Sequence, residues 1–181
     1  MKNPILVVSL VLLFCFTISC QNKAEKAELE KFRTQAKVEE QNKEFVKRYV
    51  DELNKGNVEV CNEMNAPEYG FYSPSNNPNP MSQEKAVELI KMIFKAFPDV
   101  NWKIERLFAV GDTVIIWNVV TGTHQAEFQG IPATGNKIEV SSILMWTLKN
   151  GKLVEEREEA NLLGMMQQLG MELKPKEAEK K

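Results

Sequence analysis

Histidine is almost absent from this chain, with one residue in 181, and cysteine is scarce, with three. One imidazole and so few thiols offer no ligand spacing, so neither a metal site nor metal-dependent chemistry is expected. An excess of positive charge is missing too. The 23 Lys and Arg stand against 25 Asp and Glu, a net charge of −2, which leaves no basic face for nucleic acid. No apolar run reaches the roughly 20 residues that a membrane-spanning helix needs. The candidate, residues 5–18, has fourteen. Phosphate-cradling glycine loops, serine nucleophile elbows and internal repeats are all lacking.

The short apolar run follows a basic start at Lys2 and leads into Thr17-Ile-Ser-Cys20. This arrangement reads as a bacterial lipoprotein leader over residues 1–19, removed before Cys20; an uncleaved anchor helix is the competing reading. Lipid on the Cys20 thiol and on the new amino end would hold the protein to a membrane stably, as two chains do. The expected location is the cell envelope, on the periplasmic or surface side. Loss of the leader takes one cation and no acid, so −2 becomes −3 for the remaining 162 residues. That length supports one ordinary domain. Cys15 leaves with the leader and Cys20 is lipidated, so Cys61 has no disulfide partner and reads as a small buried apolar residue.

Residues 20–41 are Lys, Glu, Gln and Ala with few apolar positions, and read as a helical or disordered tether. Phe45, Val46, Tyr49, Val50 and Leu53 then recur at helical spacing, with Gly56 placed as a left-handed cap. Residues 58–64 suggest a short helix, 68–72 an extended segment, and 73–80 a loop rich in Pro, Asn and Ser. Ser82 caps a third helix that Pro98 ends. Beyond Pro98 the period changes to two. Residues 101–110, 112–124, 138–148 and 153–160 read as strands, with Gly111-Asp112 and Asn150-Gly151 as hairpin turns, and 161–169 as a last helix. Helices followed by an antiparallel meander make an α+β fold, whose strongly curved sheet and covering helices would enclose a small cavity. The domain spans 42–173, ahead of a charged tail at 174–181.

Even positions of the third long strand are apolar except Ser142, and include Leu144 and Trp146. A two-residue Asn-Gly turn would pair Ile143 with Glu158; a three-residue turn with a bulge would pair Ser142 with Glu158 and Leu144 with Glu156. The second is favoured, because it puts Val140, Leu144, Trp146 and Val154 on one apolar face with Ser142 beside the carboxylate. Burial and the neighbouring Glu156 would then raise the proton affinity of Glu158 and suit it to general-base work. The competing view is that residues 155–159 are a charged edge strand facing water. Asn118 and His124 share parity and point to the same cavity, whereas Trp117 has the opposite parity and would pack under a helix. His124, at a strand end before the Gly/Pro loop of residues 125–135, is either a polar group at the pocket mouth or a satisfied structural residue. Tyr72, at the end of the extended segment, completes the expected ligand contacts with Asn118, Ser142, Leu144, Trp146 and Glu156.

Several segments in order resemble one family: Asn54-Lys-Gly-Asn57, Ala66-Pro-Glu-Tyr69, Ala96-Phe-Pro-Asp99, Gly122-Thr-His124 through Gly135, Asn150-Gly-Lys152 and Leu163-Gly-Met-Met-Gln-Gln-Leu-Gly170. From about Asn42 to Leu173 the chain is similar to the SnoaL-like polyketide cyclases, or ester cyclases, of the nuclear transport factor 2-like superfamily. The resemblance implies a conical α+β barrel, a cofactor-free intramolecular aldol condensation of a small hydrophobic ester, and often a homodimer through the open sheet face. The family's catalytic aspartate falls on Glu158, its glutamine and histidine on Ser142 and Leu144, and its motif histidine on His124. The leading expectation is an acid/base catalyst with Glu158 and His124 in the catalytic roles. The alternative is a binding module that sequesters an apolar molecule at the envelope without turnover.

Overall fold

The computed structural model describes residues 4–172 and 174, with side chains from residue 23 onward. The leader and the Cys20 lipidation site therefore lie outside the residues whose side chains are described, as does the charged tail beyond Lys174. The chain divides into two units, residues 1–38 and 39–181. Helix α1 (Pro4–Asn54) supplies all the described structure of the first unit, so the tether segment is helical. Leu29 and Phe32 of that unit are exposed, and Arg33 pairs with Glu30 at 2.8 Å. Among the described residues no helix is long and apolar enough to cross a membrane.

In the second unit, the end of α1 buries Val46, Tyr49 and Leu53, three members of one helical stripe. Gly56, at φ +80°, ends the helix in the left-handed conformation that glycine adopts without strain. Asn54 fixes that end to the sheet: its amide donates to Trp102 O and accepts from Trp102 N, both at 2.8 Å. A short helix, α2 (Val60–Met64), leads into β1 (Asn65–Tyr72) and β2 (Met81–Ser82). Then come α3 (Gln83–Ala96), the strands β3 (Asn101–Val110), β4 (Thr113–Thr123), β5 (Lys137–Lys149) and β6 (Lys152–Ala160), and α4 (Leu162–Gln168).

The six strands form one sheet in the order β2-β1-β6-β5-β4-β3. It is curved and open, with β2 and β3 as edges, rather than closed into a barrel. One pairing departs from the expected antiparallel pattern, because β1 runs parallel to β6. The long route between them, through α3 and the whole meander, permits this. On β5 the even residues from Ile138 to Leu148 are all buried, as their alternation predicts. At Gly122 a side chain would meet Phe97 Cβ at 3.1 Å, so the missing Cβ lets Phe97 lie against β4.

Two expectations about facing change. Trp117 is 48% exposed and lies on the outer sheet face with Phe108, Ile115, Ile143 and Met145, not under a helix. All the described helices that bury apolar stripes do so against the other face. The hairpin register also differs. Asn150 and Gly151, at φ +51° and +71°, make a two-residue turn that pairs Lys149 with Lys152. Val154 is then an extra residue, since Leu148 pairs with Leu153 but Thr147 with Glu155. Glu158 therefore faces Leu144, Glu156 faces Trp146, and Ser142 faces Ala160. Leu153, fully buried, takes the core place expected of Val154.

Candidate active site

The charged run of β6 is sorted by alternation. Outward, Arg157 donates to Glu155 at 2.8 Å and to Ser75 O at 2.6 Å while its guanidinium stacks 4.0 Å over Tyr72, and Glu159 accepts from the Ser75 hydroxyl. Inward, Glu156 and Glu158 face a cavity between the sheet, α1 and α3. The strand is interior, between β1 and β5, not the charged edge of the competing reading, and of its outward charged residues only Glu159 is exposed.

The cavity has two chambers. The inner one, about 140 Å³, is walled by Tyr49, Tyr69, Asn118, Trp146 and Glu156 among others. The outer one, about 270 Å³, is walled by Ser142, Val140, Phe128, Met165 and Leu162 among others. Glu158, Phe71 and Trp102 belong to both, so Glu158 stands where the chambers meet. Glu156 and Glu158 are half-buried, and both line the cavity.

Burial is the main influence on both acids. It raises the Glu156 carboxyl from its ordinary 4.5 to about 7; the Tyr69 hydroxyl, donating to Oε2 at 2.5 Å, opposes this, and the charge of Glu158 adds to it. Glu158 is raised as well, chiefly by burial; Ser142 and Ser73 oppose the rise and Glu159 reinforces it. Ser73 donates to Glu158 Oε2 at 3.2 Å. Ser142 Oγ and Trp146 Nε1 lie near Glu158 and Glu156 and pull their values down, although neither closes a hydrogen bond of good geometry. Burial, followed by the nearby Glu156 charge, pushes the Tyr69 phenol far up. The buried Cys61 thiol is pushed up chiefly by burial, which keeps it protonated and unreactive.

The structure brings Asn118, Ser142, Leu144, Trp146, Glu156 and Glu158 to the cavity wall. His124 and Tyr72 are not among the lining residues of either chamber. His124 is fully buried, with its ring stacked on Phe97 at 5.1 Å between centroids. Its Nδ1 accepts from Thr134 N at 3.3 Å and contacts Thr134 Oγ1 at 3.1 Å, while its backbone N–H donates to Asn136 O and its carbonyl accepts from Gly135. These bonds tie both ends of the β4–β5 loop together. Tyr72 has the wrong parity; Tyr69 and Phe71 of the same strand line the cavity instead. Sequence reasoning missed Tyr69, Asn65 and Trp102. The buried pattern of β1, with Tyr69 and Phe71 two residues apart, was the available signal. Among the described residues no group of three or more His, Cys, Asp or Glu could hold a metal ion.

The family described as SnoaL-like polyketide cyclase matches residues 43–169. The chain belongs to that family. Among solved structures, this SnoaL-like protein is similar to a proposed SnoaL-like polyketide cyclase from Jannaschia sp. CCS1, at 26% identity and a TM-score of 0.66, covering 75% of this chain and 96% of that one. AclR, a proposed hydroxylase from Streptomyces galilaeus, is also 26% identical, with a TM-score of 0.66 and coverage of 71% and 95%. A proposed polyketide cyclase from Acidithiobacillus ferrooxidans is 28% identical, with a TM-score of 0.63 and coverage of 72% and 94%. No curated protein matches the chain.

Proposed function

We propose that this SnoaL-like protein binds a small hydrophobic carbonyl compound and catalyses its cofactor-free cyclisation by proton transfer through Glu158. The observation that carries the reading is the position of Glu158 at the junction of two apolar chambers, with its proton affinity raised by burial. In the proposed step a carboxylate oxygen takes the proton from the carbon beside a carbonyl. The enolate oxygen accepts from Ser142 Oγ, whose hydroxyl has no protein partner. The carbanion end attacks a second carbonyl of the same molecule, a carbon–carbon bond forms, and the resulting alkoxide takes the proton back from Glu158. His124 is assigned to holding the loop rather than to chemistry.

One observation favours the binding-only alternative: the residue directly across from Glu158 is Leu144, which donates nothing. Deuterium incorporation into 1-tetralone in D2O, followed by NMR, separates the two. Proton transfer by a positioned group contributes about 10²–10⁴-fold, so Glu158→Gln should lose at least about a hundredfold of the exchange rate while still binding the ketone. Binding without accelerated exchange in the unaltered protein would establish the carrier.

The same reading includes a lipid anchor at Cys20, placement at the envelope, and self-association through the exposed outer sheet face. Support for the anchor is the leader pattern of residues 1–20. Mass spectrometry of the mature amino-terminal peptide tests it, and an unprocessed, unmodified Cys20 removes it.

A further inference from the structure

The proposed proton transfer leaves one polar side chain of the hollow without a task. Asn118 is 6% exposed and lines the inner chamber. Its Oδ1 is enclosed without a partner, and no described residue accepts from its amide nitrogen. A buried amide left unpaired costs stability unless a ligand fills the need.

The register fixes its neighbours. On the inner face of the sheet Asn118 of β4 stands directly opposite Ser142 of β5, and the pairs on either side, Ile116 with Leu144 and Val120 with Val140, are apolar. Facing residues have Cβ atoms about 4.5–5.5 Å apart, close enough for an amide and a hydroxyl to reach one ligand oxygen. Asn118 lines the inner chamber, Ser142 the outer, and Glu158 both. The pair therefore straddles the junction. Glu158, opposite Leu144, is one inward-facing position along the ladder from Ser142, and diagonal neighbours of this kind remain within reach of long side chains.

We propose that Asn118 is a catalytic residue of the cyclisation: its amide N–H and the Ser142 hydroxyl together hold the carbonyl oxygen of the ligand while Glu158 takes the proton from the adjacent carbon. This rests on the reading of Glu158 as the base. Electrons balance within the ligand. The C–H pair becomes the second carbon–carbon bond of the enolate, the carbonyl pair moves onto oxygen, and the proton stays on Glu158 until the alkoxide takes it back; the amide keeps its hydrogens. The two donors act at different moments. While Glu158 is charged, the Ser142 hydroxyl is drawn toward its carboxylate, and once the acid is neutral that hydroxyl is released to the enolate. Asn118 has no such competitor, so it orients the ketone from the start. A donor fixed before charge develops stabilises the transition state most. Asn118 thus supplies from β4 the hydrogen bond that Leu144 lacks on β5.

Two measurements on the purified protein test this. Removing one donor to a developing oxyanion costs about 10²–10³-fold where it has been measured, so Asn118→Leu should lower the maximal rate of 1-tetralone exchange in D2O at least about tenfold. Its half-saturating concentration should change less than about threefold, because the hydrogen bond strengthens only as charge develops. The second measurement separates this role from packing. In Glu158→Gln, whose amide mimics the protonated acid, 4-nitrophenolate at mildly alkaline pH stands in for the enolate and nitrobenzene for a neutral ligand. Adding Asn118→Leu should weaken 4-nitrophenolate binding at least about tenfold, as expected for a hydrogen bond to a charged group, and leave nitrobenzene nearly unchanged. Circular dichroism confirms folding, and Asn118→Val repeats both measurements if the leucine variant is unfolded. Undiminished exchange, or equal losses for 4-nitrophenolate and nitrobenzene, overturns the assignment of Asn118 while Glu158 stands. Exchange that is absent from the unaltered protein removes the base reading and this role together.

Discussion

Glu156→Gln should make the protein more stable at alkaline pH and nowhere else. In the folded state this carboxyl titrates at about 7, against 4.5 when exposed, so folding favours the protonated form. Its contribution is fully present below the unfolded value and is lost as pH rises from 4.5 to about 7, after which it is constant. Each pH unit between the two values is worth about 1.4 kcal/mol, which sets a ceiling of about 3 kcal/mol. The carboxyl keeps some surface in the cavity, so about 1–2 kcal/mol is the expected gain. Glu158 shifts in the same direction and remains in the variant, whereas the phenols of Tyr69 and Tyr49 and the Cys61 thiol are raised and titrate above this window. The amide oxygen introduced by the substitution can still accept from the Tyr69 hydroxyl. Urea unfolding at about pH 5 and about pH 8 reads the effect. With a denaturant slope of about 1–3 kcal/mol per molar, the variant's midpoint should rise by about 0.5–1 M at the higher pH and hardly move at the lower. Parallel pH dependence in the two proteins, or a variant less stable at pH about 8, would refute the argument that burial governs this acid.

Asn54→Ala removes both hydrogen bonds to the Trp102 backbone and should lower stability by about 2–4 kcal/mol, because it strands a donor and an acceptor of β3; thermal melting checks this. If the proposed self-association uses the exposed outer face, Ile143→Glu at its centre should sediment as a monomer while the unaltered protein sediments as a dimer; an unaltered protein that is monomeric, or a dimer that persists in the variant, removes that face as the interface.

What could be read from the sequence was whatever depends on period and local chemistry. The stripe of Val46, Tyr49 and Leu53, the buried even residues of β5 and the glycine cap at Gly56 follow from spacing alone. Tertiary choices were harder to see. Trp117 has the composition of a core residue, but its strand parity sends it outward, and nothing local shows that no described helix covers that face. His124 shares parity with Asn118, yet β4 ends at Thr123 and the histidine turns with the loop onto Phe97. Tyr72 misleads for a similar reason, since the face of β1 is set by its pairing with β6, far along the chain. The inward direction of Glu158 was expected from a three-residue turn. It arises instead from a two-residue turn followed by an irregularity at Val154.

That irregularity works like a change of reading frame. A regular ribbon continuing from Leu153 would present Glu155, Arg157 and Glu159 to the hollow, a trio containing a cation. The single supernumerary residue presents the acid pair instead. One nine-residue segment thus encodes two pockets of different charge, and a kink in the main chain selects between them. Deleting Val154 would therefore exchange one set of lining side chains for the other without a substitution anywhere else in the strand.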